Sequence, residues 1–186
     1  MPIRIEPELP GDAAAIEDLN DRAFGPDRLA KTAYRLREDN PPIAALSRVV
    51  RRAGRVVGSI RFHAVEAGGT AMLLLGPLAV DPDWQGKGIG RGLIGDGLAR
   101  ARALGHRAAI LVGDAPYYGQ FGFARALALN LELPGWVDPA RFLGLELVPG
   151  ALAQARGPVQ RPSRRQASKK APNASISTAS AGSNGI

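Results

Sequence analysis

An apolar run, MLLLGPLAV (72–80), is followed within a few residues by WQGKGIGRG (84–92) and then by a helical pattern. The run suits a central strand buried on both faces. Gly76-Pro77 inside it predicts a bend or split, because proline removes a ladder hydrogen bond and glycine often marks a bulge. Ile89, Leu93, Ile94, Leu98, Ala101 and Leu104 recur on one face, which predicts a helix over 88–104 ended by Gly105. Glycines at 86, 88, 90 and 92 are a poor start to that helix, since an interior glycine costs about 1 kcal/mol against alanine. Such a cost is accepted where something must approach the backbone closely. A helix N-terminus presents unpaired N–H groups and the positive end of the macrodipole, and Lys87 and Arg91 add charge beside it. The ligand this chemistry suits is a phosphate or pyrophosphate; the bland alternative is a tight strand-to-helix turn. A Walker loop is excluded because Lys87 is followed by Gly88, and the Rossmann pattern fails because Leu93 stands where its third glycine belongs.

The flanking pattern alternates strands and helices. IRIEPEL (3–9) alternates as a strand, GDAAAIEDLNDRAFG (11–25) reads as a helix with Asp12 as N-cap, and DRLAKTAYRLRE (27–38) as a second helix. Residues 44–69 read as two strands joined in a hairpin at Ala53-Gly54. RAAILVGD (107–114) is a buried strand, and APYYGQFG (115–122) a short helix or turn that Asp114 caps. FARALALNLELPG (123–135) and RFLGLELVPGAL (141–152) supply the last two strands. The order β-α-α-β-β-β-α-β-α-β-β predicts an α/β chain with a mixed six- to seven-stranded sheet and helices on both faces.

The net charge of +7 invites a nucleic-acid reading, yet none of the 17 acidic residues lies beyond residue 153, whereas six of the 24 basic ones do. Residues 1–153 are therefore close to neutral and form the expected domain, while 154–186 form a basic tail too polar to fold. The tail reads as a solubilising extension, with a weak, salt-sensitive nucleic-acid or acidic-partner contact as the alternative. With no cysteine, no apolar run long enough to span a membrane and no secretory pattern at the N-terminus, a cytoplasmic location is the default expectation.

Gln85-Gly86-Lys87-Gly88-Ile89-Gly90 resembles the Q/R-x-x-G-x-G/A signature of the GNAT superfamily of acyl-CoA-dependent N-acyltransferases. Tyr118-Gly119-Gln120-Phe121-Gly122-Phe123 is similar to that family's Tyr-x-x-x-Gly-Phe element. The resemblance covers roughly residues 3–150 and is sharpest over 73–125. It implies a GNAT-like fold in which a bulged strand and its parallel neighbour splay apart. It also implies acetyl-CoA as co-substrate, with no metal. Carried over, Gly76-Pro77 falls near the bulge, and Leu78, Ala79 and Val80 offer backbone groups along the pantetheine arm. Gln85 shapes the loop, and the amides of Gly86, Lys87, Gly88, Ile89, Gly90 and Arg91 hold the pyrophosphate. Tyr118 takes the place of the general acid, with Tyr117 the weaker candidate.

The implied activity is acetyl transfer to a primary amine by direct attack. The alternative is a non-catalytic acyl-CoA sensor or interaction domain on the same fold. Many relatives carry a glutamate on the bent strand, where this chain reads Met72-Leu73-Leu74-Leu75. His63 and Glu66 on the preceding strand are the substitutes, and alternation turns Glu66 to the opposite face. The acceptor is a small-molecule or peptide amine enclosed by loops 20–42 and 130–145. Arg35, Arg37 and Arg61 are candidates to attract an acidic one, against their ordinary role as solvated surface. No membrane partner is expected, and homodimerisation, common on this fold, is left open.

Overall fold

The computed structural model describes residues 3–162. Eight strands form: β1 (Ile5–Pro7), β2 (Arg48–Arg52), β3 (Arg55–Ala67), β4 (Thr70–Val80), β5 (Ala108–Val112), β6 (Leu131–Glu132), β7 (Phe142–Glu146) and β8 (Gly157–Pro158). The helices are α1 (Ala13–Phe24), α2 (Thr32–Arg35), α3 (Ile89–Ala103) and α4 (Ala115–Gly119). One six-stranded sheet has the order β1-β2-β3-β4-β5-β7, antiparallel throughout except for the parallel pair β4–β5. This is the mixed sheet expected from the sequence.

Local chemistry explains the turns. Ala53 and Gly54, at φ 46° and 78°, turn β2 into β3 as a two-residue hairpin loop whose twist matches its strands. β4 bends rather than splits. Ile60 pairs with Leu78 and Phe62 with Leu75, so Gly76 and Pro77 together stand opposite Arg61. That is a one-residue bulge.

Alternation sorts the sheet's side chains between two layers. Val50, Ile60, Phe62, Leu73, Leu75 and Leu111 pack against Ile89, Leu93, Ile94 and Leu98 of α3. On the other face, Val49 and Ala79 meet Ile16 and Leu19 of α1. Farther along that face, Val65, Met72, Leu74 and Ile110 are covered by Leu36, Leu131 and Val159.

Four expectations are corrected. Residues 123–135 do not add a strand to the main sheet. They make a 3-10 turn at Arg125–Ala128 and the two-residue β6, which pairs with β8. The helix expected over 27–38 is a 3-10 turn (Pro26–Ala30) and the single turn α2, separated by extended Lys31. Asp12 does not cap α1 through its side chain: its carboxylate accepts from Leu9 N–H and pairs with Arg51. The fold also continues past residue 153, since Ala155 and Val159 are buried and Gln160 exchanges backbone hydrogen bonds with Glu66. The rest of the tail, with its expected disorder and nucleic-acid contact, lies outside the described residues. Among the described residues no helix is long and apolar enough to cross a membrane.

Candidate active site

β4 and β5 pair only at Leu73–Ala109 and Leu74–Ile110. Beyond that point they part, and a cavity of about 710 Å³ opens between residues 75–78 of β4 and residues 111–114 at the end of β5. Such a volume suits a small-molecule site. Loops 20–42 and 130–145 flank it. Thr32 Oγ1 donates to the Trp136 carbonyl at 2.9 Å and Arg35 to the Pro134 carbonyl at 2.8 Å, which stitches them together over the opening.

A narrower groove of about 320 Å³ adjoins it, floored by Leu78, Ala79 and Val80 and walled by Gln85, Gly86 and residues 88–91. Leu78, next to the bulge, and Phe24 border both spaces, so groove and cavity lie side by side. The glycines serve two distinct ends here. Gly88 precedes α3 at φ 82°, a left-handed conformation that costs an L-residue about 1–2 kcal/mol. Gly90 keeps the groove open: a Cβ there would lie 2.8 Å from the Tyr117 hydroxyl, so a side chain at this position displaces Tyr117 and enters the groove. The first N–H groups of α3 have no helical acceptor and end on this groove. Gln85 ties the loop to the end of β4, its Nε2 donating to the Val80 carbonyl at 3.3 Å. Lys87 is turned away: its Nζ donates to the Asp83 carbonyl at 2.8 Å and sits 4.4 Å from the Trp84 ring centroid. Only its backbone amide belongs to the loop, whereas Arg91 borders the groove.

Asp114 caps α4 by accepting from Tyr117 N–H at 3.0 Å, as its position predicts, and so presents two tyrosines to two different spaces. Tyr118 borders the larger cavity, and its ring lies so close to Gly113 that a Cβ there would fall 2.2 Å from it. Tyr117 and Phe123 hold that ring edge-on, with centroids at 5.1 and 6.0 Å. Burial pushes the Tyr118 hydroxyl up to about 12, with neighbouring Tyr117 adding to the effect and Arg141 and Arg37 opposing it. It therefore keeps its proton at neutral pH. Tyr117 faces the narrow groove instead; burial raises its hydroxyl as well, against Arg91.

The two candidate bases fare differently. Glu66 pairs with Ala71, well before the bulge, and its carboxylate accepts from Gln160 at 3.3 Å. It is remote from the opening. His63 is buried opposite Leu74 and borders a third space of about 730 Å³ on the α1 side of β4. Its Nδ1 lies 2.8 Å from the Asn40 carbonyl, which requires that nitrogen to donate, and Nε2 has no partner. Burial drives its pKa down to about 4, helped by Arg37 and Arg61 and opposed by the Asn40 bond and Glu8. A neutral imidazole of that acidity is a weak base.

The three arginines separate as well. Arg35 is spent on Pro134, and Arg61 on Glu8 and Glu17. Arg37 lies between the 710 and 730 Å³ spaces and forms no ion pair among the described residues. Its half-buried, unpaired position was not legible in the sequence, where it is one of four cations in DRLAKTAYRLRE.

Comparison with known proteins agrees with this geometry. Residues 13–123 match the model of the acetyltransferase (GNAT) family. YhbS of Escherichia coli (strain K12), an uncharacterized N-acetyltransferase, is 36% identical over 134 residues, which span 71% of this chain and 78% of YhbS. YjhQ of the same strain, likewise an uncharacterized N-acetyltransferase, is 37% identical over 60% of this chain; the match spans 64% of YjhQ, slightly under two thirds. The crystal structure of YhbS in complex with CoA aligns with a TM-score of 0.72 and 32% identity, over 86% of this chain and 89% of that one. A GNAT family acetyltransferase from Brucella melitensis, crystallised with acetyl-CoA, gives 0.65 and 32%, over 87% and 97%. Family match, splayed strand pair and glycine loop coincide on the same residues: the chain belongs to the GNAT acetyltransferase family.

Proposed function

We propose that this chain moves the acetyl group of acetyl-CoA onto a primary amine by direct attack. The observation that carries this reading is that the groove at the α3 N-terminus and the cavity bordered by Tyr118 lie side by side on either side of Leu78. The complexes of YhbS with CoA and of the Brucella protein with acetyl-CoA support it. N–H groups of residues 86–91 receive the pyrophosphate, and the β5-facing edge of Leu78–Val80, left without a strand partner by the splay, runs along the pantetheine arm. Backbone N–H near Val80 polarises the thioester carbonyl. The amine nitrogen bonds to the carbonyl carbon, the C–S bond breaks, and Tyr118 gives its proton to the departing sulfur. β4 offers no carboxylate here, so the nitrogen's surplus proton passes to water.

The test is free-thiol release from acetyl-CoA across a panel of amines. Tyr118→Phe is expected to lower kcat about 100-fold while CoA affinity is kept; full turnover by that variant would contradict the acid assignment. The missing β4 carboxylate also favours, as a second reading, a non-catalytic acyl-CoA sensor. Coenzyme binding without turnover of any amine in the panel would select it.

A further inference from the structure

Every other arginine that reaches the α1 side of the site is neutralised. Arg28 pairs with Glu17 and Asp21, and Arg61 with Glu8 and Glu17. Arg37 has no such partner among the described residues, and its Nε is buried without a hydrogen bond. Its guanidinium stacks on the Tyr34 ring, Cζ 4.6 Å from the centroid, an arrangement that fixes the fork's orientation. Nη2 stands 2.9 Å from where a Cβ of Gly76 would be, so glycine at the bulge is what admits it to the mouth of the opening. Burial lowers its pKa to about 10, which marks a cation short of compensation. The cavity's own carboxylates do not supply it. Asp114 is turned to Tyr117 N–H and Asp138 to Ala140 N–H, each capping a turn, while Lys31 and Arg141 add positive charge.

We infer that Arg37 is the anchor for a carboxylate on the acceptor, and that the acceptor is a free amino acid whose amine stands a few bonds from that carboxylate. This rests on the transferase reading above and specifies its substrate class. A planar fork that borders the cavity, is held on the Tyr34 ring and lacks an ion-pair partner is the arrangement that binds a carboxylate through two parallel hydrogen bonds. Distance limits the acceptor's length. Gly76 precedes Val80 by four residues, about 13 Å along a strand, so an anion held at Gly76 leaves room for the span of a single amino acid between it and an amine beside the thioester.

The experiment measures kcat/KM by free-thiol release for glycine, β-alanine, 4-aminobutyrate and lysine, each against its carboxamide. The wild-type chain is expected to favour at least one acid over its amide by about 100-fold, the scale of an unpaired buried charge. Arg37→Gln should collapse that ratio towards one. Arg37→Lys, which keeps the charge and loses the fork, should fall between and covers the case of a misfolded Gln variant. Equal use of acids and amides by the wild type, or a ratio unchanged in both variants, would overturn the anchor while thiol release itself keeps the transferase reading alive. Turnover of a lysine-containing peptide with none of the free amino acids would overturn it in favour of a macromolecular acceptor. Failure of the whole set is equally fatal to it, and calorimetric binding of CoA then decides separately whether the transferase reading survives.

Discussion

His63 is only 4% exposed, and its Nε2 meets no hydrogen-bond partner. With a pKa of about 4 in the fold against 6.5 in the unfolded chain, the unfolded state is the one that binds a proton between those values. The stability contributed by keeping the ring neutral is complete above pH 6.5 and is lost as pH falls towards 4. The loss amounts to at most about 3 kcal/mol. Urea unfolding at pH 7 and pH 4.5 should therefore show wild type losing about 2 kcal/mol more than His63→Gln; parallel losses would contradict the assignment. At this scale the sequence revealed what local spacing encodes. Asp114 caps its helix and Tyr118 borders the opening, whereas the left-handed conformation that also calls for glycine at 88 was not read. It did not reveal which of several like residues a distant strand would bury. The bulge glycine, 39 residues on, makes room for Arg37, whereas Arg35 is taken up by the Pro134 carbonyl and Lys87 is drawn away by Trp84.

Past its first turn, helix α3 carries two glycines in opposite situations. Gly95 is exposed and a Cβ there would meet nothing within 4 Å, so Gly95→Ala should stabilise the chain by about 0.5–1 kcal/mol through helix propensity alone. Gly97 is buried, and its Cβ would lie 2.6 Å from the Phe62 ring, itself wholly buried and without room to withdraw. Overpacking there costs about 1–3 kcal/mol and outweighs the propensity gain. Melting temperatures should thus rise for Gly95→Ala and fall for Gly97→Ala; a rise in both would show that α3 and β3 pack less tightly than described. Elements with a strong period were legible: α3, β4 and the β2–β3 hairpin fall where the apolar pattern puts them. Residues 123–135 were misread because LALNLEL alternates like a strand while its neighbours decide otherwise. Ala124 bridges Gly144 of β7 through two backbone hydrogen bonds, but Leu127 then lies over Gly144, where a Cβ would be 3.1 Å from its backbone, so the segment turns across β7 after one residue instead of running on as a strand. α2 shortened for a related reason, as Arg28 reaches back to Glu17 and Asp21 on α1.

Taken whole, the molecule joins the N-terminus of α3 to a gap between parallel strands that two loops flank. The near-neutral balance of residues 1–153 fits a fold whose basic side chains are largely spent in internal pairs, such as Arg48 with Asp96 and Arg51 with Glu6 and Asp12. Residues 154–160 complete it, with Val159 sealing the cluster around Leu131 and Met72. A chain ending at Ala153 should accordingly melt lower than one ending at Pro162, by about 2 kcal/mol or more for the lost apolar burial; equal melting would place the boundary earlier. The central claim is that uncrowded amides at the start of α3 grip a diphosphate. Calorimetric titration with CoA tests it most directly, comparing the wild-type chain with Gly90→Leu. Tyr117 can swing aside for the new side chain, but the leucine then fills the groove. Saturable binding by the wild type and a loss of at least about tenfold, or 1.4 kcal/mol, in the variant is the predicted result. No binding by the wild type, or equal affinity in both, would contradict it.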